Sequence, residues 1–241
     1  MDKIRRNERR FTLIELLTVV ALISMLMAIG VPAFARMVRG SKVDESARNI
    51  KLALEQAQMR AASERCYVAV IFPYGSVSDS LKPYLLGGFR TAYVRKNGSN
   101  YDFIRWVEGS DWSNAPNGAA LVKVATAQSD VSPNTNGYVT DCTPSTGVLE
   151  GSGYLSPVSG VKDDQGSTLT FSGGARGIVF NSYGGAEGGA KLYLLVSEAL
   201  IEGTAVTYPT TDANVGQSQR NRTANYRVLK VNNLTGRVEF E

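Results

Sequence analysis

A single carboxylate stands just inside an otherwise apolar N-terminal run. Glu15 lies four residues after Phe11 and precedes nineteen uncharged residues, 16–34. An ionised carboxylate is costly within a membrane helix and less so near its end, so this position indicates a function and a cationic partner. Cleavage between Arg10 and Phe11 would create an α-ammonium on the same helix face as Glu15. The chemistry predicted here is charge pairing, within one chain or between two.

The composition excludes most familiar catalytic chemistry. The chain contains no histidine, so the commonest general base, the Ser-His and Cys-His pairs and the usual zinc sites are not available. The sequence also contains no nucleophile elbow and no phosphate-binding glycine loop. We therefore predict a protein that is not an enzyme and that uses no metal or cofactor.

Two pairs of polar residues have alternative interpretations. Cys66 and Cys142 either form a disulfide in an oxidising compartment or are two separate small apolar residues. Asp163 and Asp164, in a glycine-containing loop, either contribute to a calcium site or form an ordinary polar turn. Adjacent aspartates point in different directions, which favours the turn.

A basic cluster with one aromatic residue, Tyr226, lies near the C-terminus. It either contacts the phosphate backbone of DNA or forms a solvated loop and a protected strand edge. Its cations are Arg220, Arg222, Arg227 and Lys230.

The apolar run is long enough to be a membrane helix. Nineteen residues span about 28 Å as an α-helix, close to the ~30 Å hydrocarbon core of a bilayer. Residues 1–10 carry five cations and two carboxylates, which is +3 of the chain's formal charge of +4, so we expect this leader to stay on the cytoplasmic side. The alternative is a conventional signal peptide cleaved near residues 31–35.

A second helical pattern follows the apolar run. Apolar residues recur there at spacings of 4, 3, 4, 3 and 4, which predicts one buried helix face with charged residues on the others. Gly40 and Ser41 either interrupt the helix or lie within one continuous helix from Thr12 to Arg65. The apolar face comprises Val43, Ala47, Ile50, Leu54, Ala57 and Ala61.

Short β-branched and aromatic runs, separated by Gly, Pro, Ser and Asn, replace the helical period from Cys66 onward. We predict eight or nine antiparallel strands and, between residues 128 and 166, long loops with little regular structure. One helix packed on one or two such sheets gives an α+β fold. The predicted strands are 66–73, 89–96, 101–109, 120–126, 167–172, 176–182, 190–198, 225–232 and 236–241.

The sequence RRFTLIELLTVVALISMLMAIGVP resembles the N-terminal cleavage and methylation motif of type IV pilins and type II secretion pseudopilins. The resemblance implies that a prepilin peptidase cuts between Arg10 and Phe11 and methylates the new amine of Phe11. It also implies that Glu15 orders subunits in a filament and that Pro32 kinks or loosens the helix. Arg10 stands where the family has glycine, and the alternative is an uncut, permanently anchored chain.

The end of the chain resembles the GspH or FimT-like branch of the same family. This resemblance rests on the run RGIVFNSYGG, followed by KLYLLVSE and VLKVNNLTGRVEFE. It implies a pilin-like head whose final strand pair encloses an Asn, Thr and Gly turn.

Together, the two resemblances imply a filament subunit held in the bacterial inner membrane, with a cytoplasmic N-terminus and a periplasmic head that reaches the cell surface after assembly. Its expected partners are the prepilin peptidase, other pilin or pseudopilin subunits, the inner-membrane assembly platform and lipid. The alternative is a membrane-tethered binding module, such as a DNA-binding FimT-like minor pilin. The expected domains are a leader at 1–10, an assembly helix at 11–35, an amphipathic helix at 36–65 and a β-rich head at 66–241.

Overall fold

The computed structural model describes residues 13–114, 118–131, 149, 151–171, 173–202, 205–207 and 225–241; for 32–40, 200–202 and 205–207 it describes the backbone only. One long helix, α1, runs over Leu13–Glu64 and includes Pro32 and Gly40. The continuous helix is therefore the correct alternative, and its C-terminal end lies one residue before the predicted Arg65. The predicted start, Thr12, lies outside the described residues. The chain divides into two compact units, Met1–Arg39 and Gly40–Glu241, which are described separately.

Eleven strands follow α1 in the described part of the head. Five of them, in the order β1-β2-β3-β5-β6, form a closed barrel, and four more form a sheet in the order β11-β10-β7-β4. The remaining two, β8 and β9, form a hairpin. The strands are β1 (Tyr67–Phe72), β2 (Arg90–Asn97), β3 (Asn100–Trp106), β4 (Ala119–Ala125), β5 (Ser156–Ser159), β6 (Ala175–Phe180), β7 (Leu192–Glu198), β8 (Leu200–Glu202), β9 (Ala205–Thr207), β10 (Tyr226–Val231) and β11 (Val238–Phe240).

Strand β1 separates two hydrophobic cores. Val68, Val70 and Phe72 belong to the larger core, which includes α1, whereas Ala69 and Ile71 belong to the core inside the barrel. Successive side chains of a strand point to opposite faces. Burial on both faces therefore explains why this run is apolar at every position, and β6 alternates between the two cores in the same way.

The predicted α+β, pilin-like arrangement is confirmed, since an apolar N-terminal helix precedes a β-rich head. Two details of the prediction are wrong. β5 lies inside the region expected to be loops and closes the barrel through a parallel pairing with β3, whereas all sheets were expected to be antiparallel. The described part of the predicted strand at 167–172 forms only isolated bridges. Thr168 pairs with Lys162, and Phe171 pairs with Val77.

The predicted apolar stripe of α1 is confirmed, because its six residues are all at most 1% exposed. The helix ends at Glu64, and the next residue, Arg65, has a left-handed φ of 51°. The backbone N–H of Cys66 donates to the carbonyl oxygen of Ala61 at 3.2 Å. This is the Schellman arrangement, in which glycine usually occupies the left-handed position.

Arg65→Gly should stabilise the protein. Glycine removes the steric cost of the left-handed conformation, and its greater freedom in the unfolded chain offsets part of that gain. We expect the free energy of unfolding to rise by about 0.5–1 kcal/mol. Urea unfolding of the full chain in detergent measures this, with Arg65→Ala as a control that removes the charge but keeps Cβ. A gain of the same size in the control would show that the charge, and not the backbone, is responsible.

Candidate functional site

Glu15 lies in the first turn of α1, where the helix dipole favours a negative charge. The side chains that follow it are exposed rather than packed, and the large apolar ones among them are 46–72% exposed. Arg10 and Phe11, the residues of the predicted cleavage site, lie outside the described part of the chain. Pro32 lies within α1, and its predicted kink stays a prediction.

One segment of the described helix, Leu13–Val31, is long and apolar enough to cross a membrane, and none of its residues is buried within the protein. An unpacked apolar helix of this length needs lipid or other helices around it, because water would contact its whole apolar surface. A carboxylate at its start can remain at the membrane surface or pair with a cation. The segment can therefore anchor the chain and carry a charge that specifies a partner.

Asp164 forms an ion pair with a buried arginine. It accepts two hydrogen bonds from Arg90, at 3.0 Å from Nη1 and 2.7 Å from Nη2. Arg90 also donates from Nε to the carbonyl oxygen of Ser110 at 2.8 Å, and its guanidinium lies 4.3 Å from the centre of the Trp106 ring. The hydrogen bonds from Arg90 hold the pKa of Asp164 below its ordinary value. The pair closes one end of the barrel.

The neighbouring Asp163 has a separate role, because its Oδ1 accepts the backbone N–H groups of Gln165 and Ser167 at 2.9 and 2.7 Å. The two aspartates therefore do not converge on a common ion. Among the residues that the structure describes, no three acidic, cysteine or histidine side chains are grouped as metal ligands. This geometry favours the polar turn over the calcium site.

A second polar cluster, which sequence reasoning missed, lies at the opposite end of the barrel. Glu187 accepts hydrogen bonds from Lys96 at 2.8 Å, Tyr101 at 2.8 Å and Asn181 at 3.2 Å. Burial alone would raise the pKa of Glu187, but these hydrogen bonds outweigh it and hold the pKa below its ordinary value. Burial, followed by donation to Glu187, raises the pKa of Tyr101. The donors come from β2, β3 and the turn after β6, so no local motif in the sequence marks the cluster.

The two cations of the predicted basic cluster that the structure describes both form ion pairs. Arg227 forms an ion pair with Asp44 of α1, and Lys230 forms one with Glu241 at 3.1 Å. Arg220 and Arg222 lie outside the described residues, so DNA binding stays a prediction. Cys142 also lies outside them, and the proposed disulfide with Cys66 stays a prediction as well.

An open groove lies between α1 and the segment after β3. It has a volume of about 810 Å³. Its floor includes the buried Ala57, Phe89 and Val107, and the more exposed Met59 and Trp112 also line it. Sequence reasoning missed this groove, because its two sides are thirty or more residues apart in the chain. Only the packing of α1 beside β2 brings them together.

Asp164→Asn should destabilise the protein at neutral pH. Arg90 stays buried but loses an ionised hydrogen-bond acceptor. Because Asp164 itself is largely exposed, solvent screens the pair, and we expect the free energy of unfolding to fall by about 1–2 kcal/mol. The folded-state pKa of Asp164 is depressed, so its stabilisation is present above the unfolded pKa and disappears as the pH falls through the folded pKa. The difference between variant and parent should therefore shrink below about pH 4.

Urea unfolding of the full chain in detergent, followed by tryptophan fluorescence, tests this at pH 7 and at acid pH. Asp111→Asn is the matched control, because Asp111 is 98% exposed and lies 3.9 Å from the same guanidinium. The control should change stability by less than about 0.5 kcal/mol. A loss from Asp164→Asn that persists unchanged at pH 3 would contradict the ion-pair explanation.

Comparisons with known proteins give one match. No curated protein and no solved structure matches this chain. Residues 5–31 match the family model of the prokaryotic N-terminal methylation motif, and the match includes Glu15 and the start of α1. The motif indicates a pilin-like or pseudopilin-like structural protein rather than an enzyme. This chain therefore carries the N-terminal methylation motif of prepilin-type proteins.

Proposed function

We propose that this protein is a structural subunit, a pseudopilin or minor pilin, of a type II secretion system or a type IV pilus-like filament. The observation that carries the proposal is the methylation motif at residues 5–31, whose described part, Leu13–Val31, is a helix with an exposed apolar surface. The subunit is held in the bacterial inner membrane with its N-terminus cytoplasmic and its head periplasmic. It moves into the filament when the assembly platform extracts it.

Assembly exchanges one apolar environment for another. In the bilayer, lipid covers the exposed side chains of α1, and in the filament the helices of other subunits replace the lipid. The gain comes from close packing between helices and from pairing of polar groups. Glu15 sets the register by meeting the amine of Phe11 on a neighbouring subunit, because an unpaired charge in an apolar surrounding is costly.

The proposed processing divides the chain into four parts. Residues 1–10 are the leader that the prepilin peptidase removes, and Phe11 becomes the methylated N-terminus. Residues 11–35 form the assembly helix, 36–65 pack on the head, and 66–241 form the head.

A GspH or FimT-like head is supported by the end of the chain. Strands β10 and β11 pair around a turn in which the side chain of Asn232 accepts the backbone N–H groups of Leu234 and Thr235, at 3.0 and 3.2 Å. This is the strand pair and turn that the resemblance implies. The ion pairs of Arg227 and Lys230 do not favour the alternative of a DNA-binding module.

The mature N-terminus is the first prediction of this function. In bacterial membranes that contain a prepilin peptidase, we expect the purified chain to begin at methylated Phe11, as read by N-terminal sequencing and mass spectrometry. Arg10→Gly restores the residue usual in the family and should be processed at least as completely, so it serves as the control. A parent chain that retains residues 1–10 while the control is cut would mean that this protein stays a permanent anchor.

Glu15→Ala should permit membrane insertion but block assembly. The Phe11 amine of a neighbouring subunit would lose its partner at a cost of several kcal/mol, so we expect the fraction in filaments to fall ~10-fold or more. Sedimentation of sheared filaments, with the membrane fraction measured in parallel, gives this ratio. Thr18→Ala, three residues away on α1, is the control and should assemble normally. Normal incorporation of Glu15→Ala would exclude the registry role.

A further inference from the structure

Two large apolar side chains project from neighbouring turns of the head. Tyr183 is 93% exposed and Leu234 is 82% exposed, whereas the other large apolar side chains of the described head are at most 61% exposed. We call this pair the knob. Exposed apolar groups that lie together on a surface are characteristic of protein contacts.

The knob is held on rigid turns. The side chain of Asn181 accepts the backbone N–H groups of Tyr183 and Gly185, both at 3.0 Å, and Asn232 holds the turn of Leu234 in the same way. Each turn thus begins with an asparagine and carries its apolar residue two positions later. Because the backbone of both turns is already ordered, only the two side chains lose conformational entropy on binding.

Glycines allow the two turns to touch each other. A Cβ on Gly236 would lie 1.9 Å from the carbonyl oxygen of Gly184, so any side chain there would force the turns apart. Gln58 of α1 donates from Nε2 to the carbonyl oxygen of Thr235 at 2.6 Å. A Cβ on Gly184 would lie 3.5 Å from Cβ of Ala62. The knob is therefore built against one flank of α1.

The groove described above lies along the other flank of the same helix. At 100° per residue, Gln58 and Ala62 fall on one side of the buried stripe, whereas Gln56, Arg60 and Ser63 fall on the opposite side. These last three residues line the groove. Two copies of the head that lie side by side, with their α1 helices parallel, therefore turn the knob of one towards the groove of the other.

The charges around the two surfaces are complementary. Lys191 and Arg237 are exposed beside the knob, and Arg237, which also contacts Glu239, directly follows Gly236. Asn233 donates to the carbonyl oxygen of Gly189, which brings the segment of Lys191 alongside. Glu108, which pairs with Arg105, and Asp111 line the groove and are 88% and 98% exposed. Two arginines also line it, but Arg90 is buried and Arg60 pairs with Glu64, so the most exposed charges of the groove are acidic. Opposite charges of this kind favour encounter and fix the register of docking.

We propose that the knob of one subunit docks into the groove of a second copy of this chain. Its apolar side chains contact Met59 and Trp112, and Lys191 approaches Asp111. Because knob and groove are different surfaces, the contact is head-to-tail, and in an open filament it can repeat from subunit to subunit. It rests on the proposed filament, which brings heads side by side, and it adds a specific contact between heads to the assembly of the helices.

Site-specific photo-crosslinking of the full chain in assembling cells tests this contact. A benzoylphenylalanine in place of Leu234 should yield a dimer of this chain whose crosslink maps to residues 53–64 or 107–113. Ile104, 56% exposed on β3 and outside both surfaces, is the matched control site and should give no such adduct. A third probe at Val19 in α1 reports assembly of the helices independently of the heads.

Charge variants make the test sharper. Asp111→Lys should lower the yield from position 234 about threefold or more, because it replaces an attraction by a repulsion. Combining it with Lys191→Asp should restore most of the yield. Neither change should alter the yield from position 19, since both residues are exposed and distant from the assembly helix in sequence.

The outcomes separate the docking contact from the proposed function. If position 19 gives adducts but position 234 gives none, the docking contact is overturned and the proposed filament subunit stands. The same holds if position 234 crosslinks only to another protein or to another surface of this chain. A crosslink from position 104 to the groove, in the same yield as from position 234, would overturn the docking contact as well. Absence of adducts from both 19 and 234 would overturn both proposals.

Discussion

The buried stripe of α1 is the contact on which the rest of the head depends. From Val43 to Ala61 it forms one hydrophobic core with both the barrel and the four-stranded sheet. Three of its six residues are alanines, whose small side chains allow close approach of the strands. Loss of this contact would expose the outer face of β1 and one face of the second sheet to water. The knob and the groove would also lose their common support.

At each end of the barrel a buried or partly buried charged side chain is paired with hydrogen-bonding partners. At one end, Arg90 is buried but has an aspartate, a carbonyl oxygen and an aromatic ring around it. At the other, Glu187 has three donors. Satisfied clusters of this kind cost little, whereas an unpaired buried charge is expensive. Both therefore serve to hold strands together, and neither offers free ligands for chemistry.

The same electrostatic rule governs the proposed function of the N-terminal helix. Glu15 stands at the start of an apolar segment that makes its charge costly, and in the proposed function it selects a partner that supplies a cation. The head then contributes specificity of a different kind, through shape and charge on the flanks of α1. In such a filament subunit the apolar helices supply the strength of assembly, whereas the surface of the head determines which neighbour is bound.

The sequence by itself determined the elements that depend on local periodicity. It predicted the C-terminal end of α1 to within one residue, the buried stripe and most strands, because side chains repeat every 3.6 or 2 residues along these elements. It also predicted the methylation motif, since that motif lies within one continuous segment. It missed β5, whose four residues are too few and too polar to show a strand pattern.

Only the tertiary structure decided which distant residues meet. The pairing of Arg90 with Asp164, the donors around Glu187 and the ion pairs of Arg227 and Lys230 each join residues from separate segments. The knob depends on two turns about fifty residues apart that touch through glycines. Such contacts follow from strand order and packing, and local periodicity carries no information about either.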